Sequence, residues 1–280
     1  MKRSPLNIAR GRQTSRLLGL ALVLLWHAGS ALAQACGPYK VGLYEFGTLL
    51  YRDEKEQLTG IDKDVLDALV RRSGCVLETR LESRARIWDQ LQRGQLDMTV
   101  SGIATAERLQ YADFLPYLVA RNHALMRREQ AQAAGANFSS FLADPSLRAV
   151  AVRGFRYGSQ IDGWLSQLRA QGRVDEVSDF PIALRVLAAG RVALLFAHPL
   201  VLDPWWHTNW AAKFELLDWA PQDSVQASLV LVRQRVRPAD RELLAKHLEA
   251  MLRDGEMDRI LRKYLSPEMW RRSRLGGPGG

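Results

Sequence analysis

Short apolar runs alternate with longer stretches of helical periodicity along most of this chain. The short runs predict strands at Lys40–Tyr44, Val76–Leu81, Leu96–Val100, Leu118–Met126, Ala149–Val152, Val174–Val177, Val192–Phe196 and Ser228–Arg233. Between them, Val65, Leu66, Leu69 and Val70 form one apolar stripe, with Asp62 placed to cap the helix and Gly74 to close it. Ile87-Trp88 to Leu91 marks a shorter helix, and Ile161, Trp164, Leu165 and Leu168 another. Pro181 starts a helix through Ile182, Leu184, Val186 and Leu187 that stops at Gly190. Pro238 opens one through Leu243, Leu244, Leu248, Met251 and Leu252, and a last helix carries Met257, Ile260, Leu261, Tyr264 and Leu265. Arg127–Asn137 is polar and Ala/Gln-rich, and reads as an insertion. This alternation predicts an α/β protein of two lobes, each a mainly parallel sheet flanked by helices.

The N-terminus breaks the pattern. A basic segment is followed by an apolar run from Leu17 to Trp26 and then by Ala31-Leu32-Ala33, the order of a secretory signal peptide cleaved after residue 33. The run is shorter than the roughly 20 residues a membrane span needs, and no later segment approaches that length. The expectation is an exported, soluble protein of the periplasm. Two cysteines suit that oxidising space: Cys36 and Cys75 each precede a predicted strand, and the two strands would be parallel neighbours, so a disulfide is expected. The competing reading acylates Cys36 as a lipid anchor, but Ala33-Gln34-Ala35-Cys36 lacks the apolar residue usual in that signal.

At 280 residues the chain is long enough for two modest domains. The net charge of +9 suggests nucleic acid until its position is considered. Lys2, Arg3, Arg10, Arg12 and Arg16 sit in the leader, and Arg271, Arg272 and Arg274 in a Gly-rich end that reads as a flexible tail over 271–280. The folded middle is near balance, which argues against a phosphate-tracking basic face. The histidines lack ligand-like spacing with Cys or acids, so no metal site is expected, and no G-x-S-x-G, P-loop or H-E-x-x-H motif is present. No cofactor is implied.

Candidate chemistry concentrates in residues 94–117, GQLDMTVSGIATAERLQYADFLPY. A strand ends at Ser101-Gly102, and Thr105 and Arg108 follow just beyond it, where ligands bind in open α/β sheets. An arginine there suits a carboxylate, because its planar fork makes two parallel charge-assisted hydrogen bonds. A second loop, Arg153-Gly154-Phe155-Arg156-Tyr157-Gly158, joins a strand to a helix and can present free backbone N–H groups to an anion. Tyr44, Glu45 and Phe46 lie at the carboxyl end of the first predicted strand.

The central stretch resembles the bacterial periplasmic solute-binding proteins of family 3, which serve polar amino acids. The pattern is G-x-(L/V)-D-x-x-x-x-G-x-(T/S)-x-T-x-E-R, then D-F and P-Y. Here it reads Gly94, Leu96, Asp97, Gly102, Thr105, Glu107 and Arg108, then Asp113-Phe114 and Pro116-Tyr117. Gly60-Ile61-Asp62-Lys63-Asp64-Val65 and the run from Asp254 to Tyr264 match two further family patterns, so the resemblance covers roughly residues 38–267.

It implies a type II periplasmic-binding-protein fold with lobe one at 36–119 plus 225–270, lobe two at 120–224, and a ligand cleft between them that closes on a hinge. It further implies that Arg108, Thr105 and the Ser101-Gly102 backbone hold a ligand carboxylate. Aromatics at Tyr44 and Phe46 would sandwich the ligand, and the 153–158 loop would contact it. An inner-membrane ABC permease would be the partner, with the protein itself a monomer. Two departures matter. The chain is one residue short between the Gly and the Arg, so the second hydroxyl position becomes Ile103 or Ala104. Where amino-acid binders carry an Asp for the α-ammonium, this chain has His198 or Ala197. An unpaired ammonium in a closed cleft is costly to desolvate, so an otherwise anionic ligand becomes an alternative to an amino acid, with Glu45 the remaining partner for a cation. Trp205 and Trp206 read as packing or surface residues of lobe two rather than as a ligand stack. Two other functions stay open: an accessory or sensor protein of the same fold, and a dehydratase using Glu45 or His198 as general acid.

Overall fold

The computed structural model describes residues 35–134, 137–203 and 210–273 of the protein. The signal segment at 1–33, Trp205, Trp206 and the tail from 274 lie outside the described residues.

From Cys36 onward the chain builds two five-stranded sheets. β1 (Tyr39–Leu43) leads through a small hairpin of β2 (Tyr51–Arg52) and β3 (Leu58–Thr59) into α1 (Ile61–Ser73). Then come β4 (Leu77–Leu81), α2 (Arg84–Gln92), β5 (Met98–Gly102) and the long β6 (Ala112–Arg121). A single residue, Asn122, separates β6 from β7 (His123–Arg127), and there the chain passes into the second sheet. The second sheet is completed by β8 (Ala149–Val152), β9 (Val174–Val177), β10 (Leu194–Ala197) and β11 (Phe214–Leu217). Its longer helices are α3 (Arg128–Ala134), α4 (Phe138–Ala143), α5 (Ser159–Ala170) and α6 (Phe180–Ala188). The chain returns through β12 (Ser224–Val232) and ends in α7 (Pro238–Arg253), α8 (Glu256–Tyr264) and α9 (Pro267–Ser273).

The first sheet has the order β4-β1-β5-β12-β6 and the second β11-β7-β10-β8-β9. Each is parallel over three strands and antiparallel over the rest, because β12 in one and β7 in the other run against both neighbours. The strands that cross between sheets therefore set the sheets' mixed character. Leu118–Met126, expected as one strand, is the end of β6 and most of β7, split at the crossing. The expected insertion after residue 127 is largely helix α3, and Arg271–Ser273, expected in the tail, form the last turn of α9.

Local chemistry explains the ends of these elements. Asn137, Asp179 and Ser83 cap α4, α6 and α2 with side-chain oxygens that accept from backbone N–H groups. Asp62 does not cap α1: Gly60 holds that position, and Asp62 lies inside the first turn with its carboxylate buried. The two sheets share a continuous apolar cluster, in which Phe46 and Leu49 of the first meet Phe180, Leu200 and Val201 of the second. The lobes are thus in contact. No helix of the described residues is long and apolar enough to cross a membrane.

Cys36 and Cys75 form a disulfide across 39 residues at the start of β1 and β4, using the thiol a lipid anchor would need. Cross-linking removes loop-closure entropy from the unfolded chain. Replacing both cysteines by alanine is expected to lower unfolding free energy by about 2–4 kcal/mol, read from urea denaturation of the oxidised mature protein.

Candidate functional site

The carboxyl ends of β1 and β5 open toward the second lobe, and two arginines of the first lobe converge there. Arg108 begins a 3-10 turn after β5, and its guanidinium carbon sits 3.4 Å from the centre of the Trp88 ring. Its Nη1 donates to Ile103 O at 2.8 Å and its Nη2 to Gly154 O of the opposite lobe at 3.0 Å. Arg84, the first residue of α2, is 4% exposed. Its guanidinium carbon lies 4.1 Å from the Tyr44 ring centre and 4.9 Å from that of Trp88. Its nitrogens donate to Ser101 O at 2.8 Å and Val100 O at 3.3 Å. Burial, with Arg84 and Arg156 nearby, pushes Arg108 down to about 9; burial lowers Arg84 as well. Both cations are held against π faces and carbonyl dipoles.

A buried polar cluster supports them. Asp62 Oδ1 accepts from Tyr117 OH at 2.5 Å and from Ser101 Oγ at 2.9 Å, while the Ser101 N–H donates to Tyr117 OH at 2.8 Å. Ser101 stands at φ 49°, a left-handed conformation that a serine holds only where its surroundings fix it. Ser101 and Gly102 therefore remain in the strand, and the Ser101 amide is already engaged.

The second lobe supplies Phe155, which meets Tyr44 and Phe46 edge-on at 5.4 and 4.8 Å, and His198, 5.0 Å from Phe46. These side chains enclose a cavity with Arg84, Ser101, Ile103, Arg108, Asn122 and Arg156. About 30 Å³ remains between them, too small for a solute larger than water. Its lining holds three arginines and no Asp or Glu. A larger cavity of about 590 Å³ lies behind His198, but its Arg121 is already paired with Asp218 at 2.8 Å. The unmatched charge is in the small one.

The expected site residues divide. Arg108, Ser101, Tyr44, Phe46, Arg156, Tyr157 and His198 line the central cavity. Thr105 lines an outer compartment, and its Oγ1 accepts from the Arg108 N–H at 3.2 Å. Glu45 sits at the rim, paired with Arg52 at 3.4 Å, away from the cavity. Arg153 is exposed and reaches the Glu176 carbonyl, outside the cleft. Tyr157 turns its hydroxyl back to the Val152 N–H at 3.0 Å.

The helix amino terminus expected to greet an anion is already filled. Asp223 accepts from Gln160 N at 3.0 Å, Ile161 N at 3.2 Å and Ser159 Oγ at 3.3 Å. Gly158, at φ 114°, makes room for it: a Cβ there would lie 2.3 Å from Asp223 Oδ2. His198 is pushed down to about 3 by burial, and its Nδ1 has no hydrogen-bond partner among the described residues, so it stands neutral at pH 7. Ala197 ends β10 as a buried apolar residue.

Sequence reasoning missed Arg84 and Asp223. A cation in the first turn of a helix runs against the helix dipole, and that signal marks Arg84. Asp223 carries no such mark, because its partners lie more than sixty residues away.

The family model for bacterial extracellular solute-binding proteins, family 3, matches residues 42–267. Among solved structures, an ancestral arginine-binding protein bound to arginine is similar at 22% identity and a TM-score of 0.69, over 83% of this chain and 100% of that one. The arginine-, lysine-, histidine-binding protein ArtJ from Geobacillus stearothermophilus is similar at 21% identity and 0.66, over 81% and 95%. An ancestral amino acid-binding protein described as a precursor of cyclohexadienyl dehydratase is similar at 22% identity and 0.65, over 82% and 96%. At these identities the likeness establishes the fold alone. No curated protein matches the sequence.

Asp62 gives the site a measurable pH signature. Burial outweighs its two hydrogen bonds and raises its carboxyl from 3.8 to about 6. The folded protein then holds that proton more tightly than the unfolded chain, so the stability from this group is present below about 3.8 and is lost as pH rises through about 6. Asp62→Asn keeps an acceptor for Tyr117 and Ser101 without the charge. It is expected to be more stable than the parent at pH 8, by on the order of 2 kcal/mol, with the difference vanishing near pH 4 in urea titrations.

Proposed function

The chain belongs to the bacterial extracellular solute-binding proteins of family 3, and on that premise we propose that it captures a small carboxylate-bearing solute between its lobes. One observation carries the reading: the cavity between the lobes is lined by three arginines and no acid, and two of the three are buried. A desolvated guanidinium without a carboxylate is an incomplete pair, and a ligand carboxylate completes it through the Arg fork. Arg108 is the anchor. It belongs to lobe one yet bonds Gly154 of lobe two, so a ligand held there also bears on closure.

Capture runs from an open form, in which the lobes part along the crossings at Asn122 and before Ser224, to a closed one in which Phe155 and His198 cover the ligand. In this reading lobe one comprises 36–119 plus 225–270 and lobe two 120–224. The protein works as a monomer in the periplasm after removal of residues 1–33, and hands its solute to an inner-membrane ABC permease. The acid-free lining disfavours an α-ammonium, so the ligand class is organic acids rather than free amino acids. An enzymatic reading finds less support: His198 is neutral, and Glu45 is paired with Arg52 at the rim.

The test is a thermal-shift screen of the mature protein against amino acids and their deaminated carboxylates, followed by calorimetry on any hit. The expected outcome is a carboxylate that raises the melting temperature, bound no more weakly without its amino group, and bound at least ~100-fold more weakly by Arg108→Met. A well-folded protein that responds to no carboxylate overturns the reading. Closure is tested separately. Gly154 has φ 82° and a Cβ there would lie 2.8 Å from Ala85 backbone, so Gly154→Ala should hold the lobes apart. Solution scattering should then show no compaction on adding the ligand that compacts the parent.

A further inference from the structure

Arg108 alone is enough to hold one carboxylate, which leaves the second buried cation, Arg84, without a part in ligand capture. Arg84 shares the Trp88 ring with Arg108, and burial first, then the like charge of Arg84, lowers Arg108. Neither forms a salt bridge among the described residues; their hydrogen-bond acceptors are carbonyls and, for Arg84, Thr99 Oγ1 at 3.5 Å. The one buried carboxylate in the neighbourhood, Asp62, attracts Arg84 from a distance but forms no salt bridge with it, its Oδ1 being engaged by Tyr117 and Ser101. Across the cleft, the amino end of α5 is occupied by Asp223 and adds no anion-binding N–H groups. Arg156 of lobe two also lines the cavity but is exposed, so the buried positive charge is a pair of guanidinium groups on one lobe, set around one indole.

We infer that the ligand is a small dicarboxylate, one carboxylate meeting Arg108 and the other Arg84. This rests on the carboxylate-capture reading and specifies its ligand class. The guanidinium carbons lie 3.4 and 4.9 Å from the same ring centre, which keeps them close enough for the two ends of a short, flexible diacid such as succinate or glutarate to address one each. The lobes must part from the arrangement seen here to admit it, and Tyr44, Phe46 and Phe155, which line the cavity, would then lie against its methylene chain. Two carboxylates against two guanidiniums neutralise the pair and remove the repulsion that burial imposes on it.

The competing role for Arg84 is structural: its bonds to the Val100 and Ser101 carbonyls hold the end of β5, where Ser101 is in its left-handed conformation. Calorimetry with glutarate and with butyrate separates the two. The parent protein is expected to bind glutarate at least ~30-fold more tightly than butyrate, the scale of one buried charge pair. Arg84→Gln should reduce that preference to below ~3-fold while changing butyrate affinity by less than ~3-fold. Arg84→Lys, which keeps the charge without the fork, should retain part of the preference.

A parent that binds butyrate as tightly as glutarate overturns the inference while leaving carboxylate capture intact, and so does a preference that survives in Arg84→Gln. Equal weakening of both ligands in Arg84→Gln assigns Arg84 to the fold and also overturns it. If neither variant folds, the ratio measured on the parent decides. Binding of no carboxylate by the folded parent overturns the capture reading and this inference with it.

Discussion

Arg108 lies over the indole of Trp88 with its terminal nitrogens donating to carbonyls of opposite lobes, Ile103 and Gly154. Removing a guanidinium from water is expensive unless carbonyls, π faces or a counter-anion take over its hydration. The carbonyls and the ring do part of this work for Arg108 and for Arg84 beside it. Much of the surrounding architecture follows from that requirement. Trp88 must be presented by α2, the end of β5 must offer Val100 and Ser101 carbonyls inward, and lobe two must bring Gly154 within reach. Only a glycine permits that approach, since a Cβ at 154 would strike the backbone of Ala85.

Lobe two answers this charge with shape rather than with countercharge. Its loop gives Phe155 to the aromatic cover, turns the Tyr157 hydroxyl into its own backbone, and closes the amino end of α5 with Asp223. Asp223 immediately precedes β12, at the second crossing between the lobes. Its three hydrogen bonds therefore tie that crossing to a helix of the second lobe, and the helix dipole is satisfied within the chain. His198 continues the theme. Buried and neutral, it packs against Phe46 as an aromatic ring and brings no charge to the cleft.

The amino-acid sequence by itself determined the alternation of strands and helices, the two-lobed fold, the pairing of Cys36 with Cys75 and the position of Arg108 beyond β5. Periodicity, caps and the resemblance along the chain carried the fold, the strands after Cys36 and Cys75 suggested their pairing, and 94–117 carried β5 and Arg108 within one unbroken stretch. Tertiary structure alone decided which charges are desolvated and which are spent. Ser83-Arg84-Ala85-Arg86 offers two arginines two residues apart; one is buried over Tyr44, the other exposed beside Glu82. Asp62 reads as a cap and is a buried acid, Glu45 reads as a cleft acid and is spent on Arg52, and Asp223 meets α5 from more than sixty residues away. Desolvation depends on everything that packs around a group, most of it distant in sequence, so no local pattern encodes it.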